Sequence, residues 1–206
     1  VIALAKGRLL EPSLDLLSRA GILFSEDVLN SRRLIFDAAD GRHRAVLVKP
    51  ADVATYVEYG AADAGIVGRD VLMESGADVV QPLTLGFGHC RIVIARLRGA
   101  ETHAHSTVRV ATKYPRITMD HFNSRGTPVE IIPLAGSIEL GPLVGLSDLI
   151  VDLVESGRTL AENGLEVVEV LAQSSARFVV NRAAYQVKRA EIQGLIQALE
   201  GAGQQR

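Results

Sequence analysis

The sequence predicts an α/β protein with largely parallel sheets, divided into two lobes with a cleft between them. Short apolar runs alternate with stretches of helical spacing along most of the chain, which is the pattern of strands joined by helical crossovers. Two of these runs pass straight into a helical stretch through a glycine, at Gly68 and at Gly157. Two joints interrupt the alternation, Gly86-Phe87-Gly88 and Gln173-Ser174-Ser175. A chain that leaves one lobe at the first joint and returns at the second gives lobe I as residues 1–88 plus 174–206 and lobe II as residues 89–173. Lobe interfaces are favoured ligand sites. A single sheet with ordinary loops is the alternative that periodicity alone leaves open.

The elements follow in order. Residues 1–4 form a buried strand, then a loop leads to a helix over 12–20. Residues 34–36 and 45–48 form strands around a turn at Asp40-Gly41, where glycine supplies the turn backbone. Residues 51–59 are helical, 64–67 a strand, and 70–75 a helix entered through Gly68. A strand over 89–95 and another over 108–112 precede a helix around 117–124. Strands over 129–134 and 149–154 are followed by a short helix over 159–163, closed by Gly164. Strands over 167–171 and 177–180 lead to one closing helix over 182–200, and the tail from Gly201 is expected to fray. There is no internal repeat and no low-complexity linker.

Composition narrows the function classes. The net charge of −2 leaves no electrostatic footprint for nucleic acid. With no Trp and 4% aromatic residues, a base-stacking surface is not expected. Cys90 is the single cysteine, so an internal disulfide and a Cys-rich metal site are both excluded. No apolar run reaches membrane-spanning length and no signal-peptide pattern is visible, so a cytoplasmic protein is expected. The chain begins at Val1 rather than Met, so a few leading residues are expected to be missing.

The most informative segment runs from Asp148 to Leu160. An apolar strand carries one acid inside it, Asp152, and another at its end, Glu155, then opens into Ser156-Gly157-Arg158-Thr159. A strand that stops at a hydroxyl–Gly–x–hydroxyl turn and enters a helix directs free backbone N–H groups at one place, a ready site for a phosphate monoester. The acids would repel that phosphate, so they suit its neighbour, a sugar diol or a diol-bound metal ion. Phosphate beside acids points to a phosphoribosyl group. The plain alternative is a strand-to-helix connection with Ser156 or Thr159 as N-cap.

Three other segments have site character, each with an ordinary alternative. Ala5-Lys6-Gly7-Arg8 follows the first strand, and its two cations flanking a glycine suit a polyphosphate, or merely a solvated turn. In Asn30-Ser31-Arg32-Arg33 the guanidinium pair suits diphosphate oxygens, or merely solubilises a loop. The stretch from Glu58 to Gly68, with Asp63, Gly65 and Gly68, lets a flat ligand approach the backbone, or reflects tight packing.

Together these residues resemble the ATP phosphoribosyltransferase family in its short form. The matching blocks are Ala3-Leu4-Ala5-Lys6-Gly7-Arg8-Leu9, Ser31-Arg32-Arg33-Leu34-Ile35-Phe36, and the run from Ala51 through Gly60 to Asp70. Ala111-Thr112-Lys113-Tyr114-Pro115, Gly136-Ser137-Ile138-Glu139-Leu140 and the segment from Pro142 to Leu165 complete them, covering nearly the whole chain. Four positions depart from the common family pattern: Ala5 for Pro, Lys49 for Arg, Gly141 for Ala and Ser156 for Thr. Lys49 keeps the charge without the bidentate fork, which puts a diphosphate role there in doubt.

The resemblance implies a two-lobed fold of the periplasmic-binding-protein type (type II) and transfer of 5-phosphoribosyl from phosphoribosyl pyrophosphate to N1 of ATP. It implies a 5-phosphate on Ser156, Gly157, Arg158 and Thr159, and ribose hydroxyls facing Asp152 and Glu139, with Glu155 a weaker candidate. It places Arg8 and Arg32 on the departing pyrophosphate with Lys6 close by, and nucleotide near Gly7, Asp63, Gly65 and Gly68. Mg²⁺ is expected on the substrate rather than on protein ligands. The implied partners are a second copy of the chain in a homodimer and a regulatory subunit related to histidyl-tRNA synthetase, forming a hetero-octamer, because longer relatives continue into a regulatory domain where this chain stops. Two rivals are a solute-binding protein of the same fold and a paralogue that binds nucleotide without turnover.

Overall fold

Three buried apolar clusters organise the chain, one around the first sheet and two on opposite faces of the second. The coordinates come from a computed structural model, which describes residues 1–24, 26–100 and 107–204. The chain divides into two units, Val1–Gly88 with Ser175–Arg206, and His89–Ser174.

The first unit contains β1 (Ile2–Ala5), α1 (Leu10–Arg19), β2 (Ile35–Asp37), β3 (Arg44–Val48), α2 (Val53–Glu58), β4 (Ala64–Gly68), α3 (Arg69–Ser75) and β5 (Val80–Thr84). The second holds β6 (Cys90–Leu97), β7 (Val108–Thr112), α4 (Pro115–Ser124), β8 (Val129–Pro133), α5 (Leu140–Leu143), β9 (Leu149–Val154), α6 (Arg158–Glu162) and β10 (Leu165–Ser174). The chain then completes the first unit with β11 (Ala176–Val180), α7 (Arg182–Val187) and α8 (Arg189–Gln204). Short 3₁₀ turns at Glu26–Val28 and Pro50–Asp52 precede β2 and α2.

The first sheet has the order β2-β3-β1-β4-β11-β5, and the second β10-β6-β9-β7-β8. Strands β3, β1 and β4 are mutually parallel, as are β9, β7 and β8. All other pairings are antiparallel, so the sheets are mixed and the expectation of largely parallel sheets is corrected. The reason is topological. β2 and β3 form a hairpin closed by Asp40, whose carboxylate accepts N–H bonds from Arg42 and His43. β11 enters the sheet beside the end of β4, with Ala176 opposite Gly68, and so runs against it. Apolar periodicity reports burial and says nothing of strand direction.

Other corrections are local. β5 was not expected; it lies at a sheet edge, where Pro82 need not donate to a ladder. The single closing helix breaks at Lys188, and the second piece continues through Gly201 to Gln204 instead of fraying. Leu199 and Ala202 are 1% and 4% exposed, so this last turn is pinned to the core. Residues 205 and 206 of the expected tail lie outside the described residues.

Both faces of β1 are covered, which explains its unbroken apolar run Ile2-Ala3-Leu4-Ala5. The second unit shows alternation instead: Ile92 and Ile94 pack with Tyr114 and Phe122 on one face, while Val93 and Ala95 pack with Ile138 and Leu160 on the other. Among the described residues no helix is long and apolar enough to cross a membrane.

Gly65 sets the spacing between the first sheet and α2. A Cβ there would stand 2.9 Å from Val57 Cγ2 and 3.0 Å from the Ala3 carbonyl oxygen. Gly65→Ala is therefore expected to destabilise the protein by about 1–3 kcal/mol, the usual result of overpacking a filled core. Urea unfolding should show a lower midpoint at constant m-value.

Candidate functional site

Parallel strands place their carboxyl ends at one edge of a sheet, and ligands of α/β sheets bind beyond that edge. In the second unit the edge is formed by β7, β9 and β8. Each strand delivers one piece of chemistry there: Lys113 after β7, the turn Gly136-Ser137-Ile138-Glu139 after β8, and Glu155-Ser156-Gly157-Arg158-Thr159 after β9.

The turn after β9 has the geometry a phosphate site needs. Gly157 is the N-cap of α6 with φ 81°, a left-handed conformation that glycine adopts without strain. The N-cap glycine has no side chain to cap this helix, and its first N–H groups lack intrahelical acceptors. The Ser156 hydroxyl accepts only a long 3.4 Å bond from the Arg158 N–H. Ser156, Arg158 and Thr159 are exposed, as is Glu155.

The acids stand beside it. Asp152 is 8% exposed within β9. Its Oδ1 lies 3.1 Å from the Lys113 ammonium and accepts the Leu153 N–H at 2.7 Å. Glu139 is half-buried as the N-cap of α5. Just before it, Ser137 has φ 50°; among the described residues it is the one non-glycine with positive φ. Buried Ile138 anchors this strained turn to the core. Strain of this kind collects at ligand sites because packing must enforce it.

In the first unit, the carboxyl edge of β3, β1 and β4 gathers cations. Lys6, Gly7 and Arg8 follow β1, Lys49 follows β3, and Arg69 follows β4. β2 runs antiparallel to β3 with Ile35 opposite Val46, so Arg32 and Arg33 precede β2 at this same edge. Gly7 has φ 87° and open space where a Cβ would stand. Lys6, Arg8, Arg32 and Arg33 are all exposed, and the Arg33 guanidinium lies 5.5 Å from the Phe36 ring centre. Arg177, on β11 one residue in from the edge, has its Nε buried without a hydrogen-bond partner, and burial followed by the charge of Arg69 pulls its pKa down.

Not every expected residue joins these edges. Asp63 lies at the opposite, amino end of β4, where its carboxylate takes the Lys188 ammonium at 2.9 Å and the Val1 amino group at 2.7 Å. Gly65 is mid-strand under α2, and its small size serves packing. Gly68 does sit at the carboxyl edge, where a Cβ would come within 2.2 Å of the Asp70 carboxylate. Sequence reasoning passed over the Lys113–Asp152 pair and the cations Arg69 and Arg177. Their shared signal is position at or beside the carboxyl edge of a parallel sheet, visible only once strand order is known. Among the described residues no three His, Cys, Asp or Glu side chains are grouped to hold a metal ion.

Comparison with known proteins gives one consistent result. Residues 49–201 match the family described as ATP phosphoribosyltransferase. An ATP phosphoribosyltransferase of Sorangium cellulosum is 51% identical over 202 residues, covering 98% of this chain and 94% of that protein. One of Geobacter metallireducens is 48% identical over 203 residues, covering 97% and 96%. A chain of the ATP phosphoribosyl transferase (HisG:HisZ) complex from Thermotoga maritima superposes with TM-score 0.89 at 35% identity, covering 100% of this chain and 98% of that one.

The left-handed backbone at the turn makes a direct expectation. Gly157→Ala should lower the free energy of unfolding by about 1–2 kcal/mol, the cost of a Cβ in that conformation, and chemical denaturation measures it. Unchanged stability would mean that the turn does not hold this shape.

Proposed function

The chain belongs to the ATP phosphoribosyltransferase family, and from that premise we propose that it transfers 5-phosphoribosyl from phosphoribosyl pyrophosphate to N1 of the adenine of ATP, releasing pyrophosphate, as the first step of histidine biosynthesis. The observation that carries this reading is the glycine turn at 156–159 beside Asp152 and Glu139 at one sheet edge. A phosphate site next to diol-accepting carboxylates fits a ribose 5-phosphate and has no use in a general solute-binding protein.

The roles divide by chemistry. The N–H groups and hydroxyls of Ser156, Gly157, Arg158 and Thr159 hold the 5-phosphate. Asp152 and Glu139 accept the ribose hydroxyls, with Glu155 at the rim. Arg8 and Arg32, with Lys6, neutralise the pyrophosphate, and Gly7 leaves room for nucleotide beside the backbone, whereas the space at Gly68 is filled by the Asp70 carboxylate. Asp63 and Gly65 serve the fold rather than the ligand.

In the reaction the bond from ribose C1 to pyrophosphate oxygen breaks, and its electron pair leaves with pyrophosphate. The adenine N1 lone pair forms the new bond to C1, so no proton need be removed from the nucleophile. Positive charge builds on the ribose ring and negative charge on the leaving group. Fixed guanidinium groups stabilise the second most effectively because they need no reorganisation. Mg²⁺ supplies further neutralisation when bound to pyrophosphate oxygens.

The Thermotoga maritima structure is of a HisG:HisZ complex, which supports a regulatory partner for this chain, of the histidyl-tRNA-synthetase-related type. A homodimer of the chain within a hetero-octamer, in the cytoplasm, completes the proposal.

Pyrophosphate release should require both ATP and phosphoribosyl pyrophosphate; release with neither or only one, or binding without turnover, would defeat the assignment. Arg32→Ala should lower turnover roughly 10²- to 10³-fold, as does loss of one transition-state donor, with a smaller effect on KM. A raised KM at normal turnover, measured where chemistry limits the rate, would make Arg32 a ground-state binding residue. Histidine titrated against the purified chain should leave the rate unchanged, and inhibition should appear on adding the partner; inhibition of the chain alone would locate the effector site on it.

A further inference from the structure

We propose that Lys113 is a positioning residue for the ribose site: its ammonium holds the Asp152 carboxylate by Oδ1 so that Oδ2 is presented to the ribose hydroxyls. The proposal rests on the reading above that Asp152 faces ribose.

Asp152 is 8% exposed, and a carboxylate so placed requires compensation by charge or hydrogen bonds. Both compensating contacts fall on the same oxygen. Lys113 Nζ stands 3.1 Å from Oδ1, and the Leu153 N–H donates to Oδ1 at 2.7 Å. Among the described residues Oδ2 receives no hydrogen bond, so the carboxylate is fixed at one oxygen and open at the other.

Lys113 is itself held in place. Thr112 lies opposite Val151 in the β7–β9 register, so Lys113 and Asp152 are the next residues along two adjacent parallel strands. The fully buried Thr112 hydroxyl donates to the Val151 carbonyl at 2.7 Å and accepts the Tyr114 N–H at 2.8 Å. This clamp fixes the backbone on both sides of Lys113. The buried Tyr114 ring then lies 5.3 Å from the ammonium, a second attraction that favours the observed direction of the side chain. Thr112 and Tyr114 thus hold in place the one lysine that contacts Asp152 Oδ1. A neutral residue at 113 would leave Asp152 without its cation, free to turn away from the diol. Misplacing a binding group by about 1 Å can cost as much as about 10²-fold.

Calorimetry with phosphoribosyl pyrophosphate on the purified chain, in a double-mutant cycle of Lys113→Met and Asp152→Asn, tests this. Lys113→Met should weaken binding roughly ten- to hundredfold, Asp152→Asn should weaken it comparably, and the double variant should be no weaker than Asp152→Asn alone. Lys113→Arg, which keeps the charge and is the safer variant for folding, should retain most of the affinity. Additive losses would mean that Lys113 contacts the substrate directly. A lower melting temperature with unchanged affinity would make the pair merely structural. Either result overturns the proposal. If Asp152→Asn alone leaves affinity intact, the ribose assignment of Asp152 is wrong and the role of Lys113 falls with it. If the wild-type chain does not bind phosphoribosyl pyrophosphate, the transferase reading itself fails.

Discussion

Parallel pairing is the constraint on which the rest depends. In each sheet three adjacent strands run the same way, β3-β1-β4 and β9-β7-β8. Their carboxyl ends therefore meet at one edge, and residues distant in sequence become neighbours without any further device. One edge collects lysine and arginine, the other a glycine turn, three acids and one lysine. A net charge of −2 is no obstacle to binding polyanions, because the field that matters is local.

Close packing around small residues makes these edges possible. Gly65 lets α2 lie against β4, and Gly68 leaves space for the Asp70 carboxylate at the start of α3. Gly141 plays a similar part within α5, where a Cβ would come within 2.6 Å of the buried Ser147 hydroxyl and 3.1 Å of Ala111. Next to it Ser137 adopts a left-handed conformation at φ 50° without glycine. The buried Ile138 one residue on is what holds it there.

Legibility in the sequence followed burial and spacing. Strands such as β7 and β9 were readable to the residue because β-branched and other apolar residues dominate each run, with Arg109 and Asp152 the one charged residue in each, and the turn at 156–159 was readable because its glycine separates a strand pattern from a helical one. Strand direction was not readable, since β11 and β4 have the same composition whichever way they pair. Asp63 was misjudged because sequence proximity to Gly68 suggested proximity at the site. In an extended strand five residues span roughly 16 Å, and Asp63 ends at the opposite edge, bound to Lys188. The Lys113–Asp152 pair was hidden for the converse reason: 39 residues separate its members, as they separate Thr112 from its partner Val151, and only the β7–β9 register joins them.

The central claim is that the turn at 156–159 receives the 5-phosphate of phosphoribosyl pyrophosphate. Amide-resolved NMR of the isotopically labelled chain tests it most directly. On titration with phosphoribosyl pyrophosphate, and equally with ribose 5-phosphate, the backbone amide signals of Gly157, Arg158 and Thr159 should move, while ATP alone should leave them in place. Binding of ribose 5-phosphate that leaves these three amides unmoved would contradict the account.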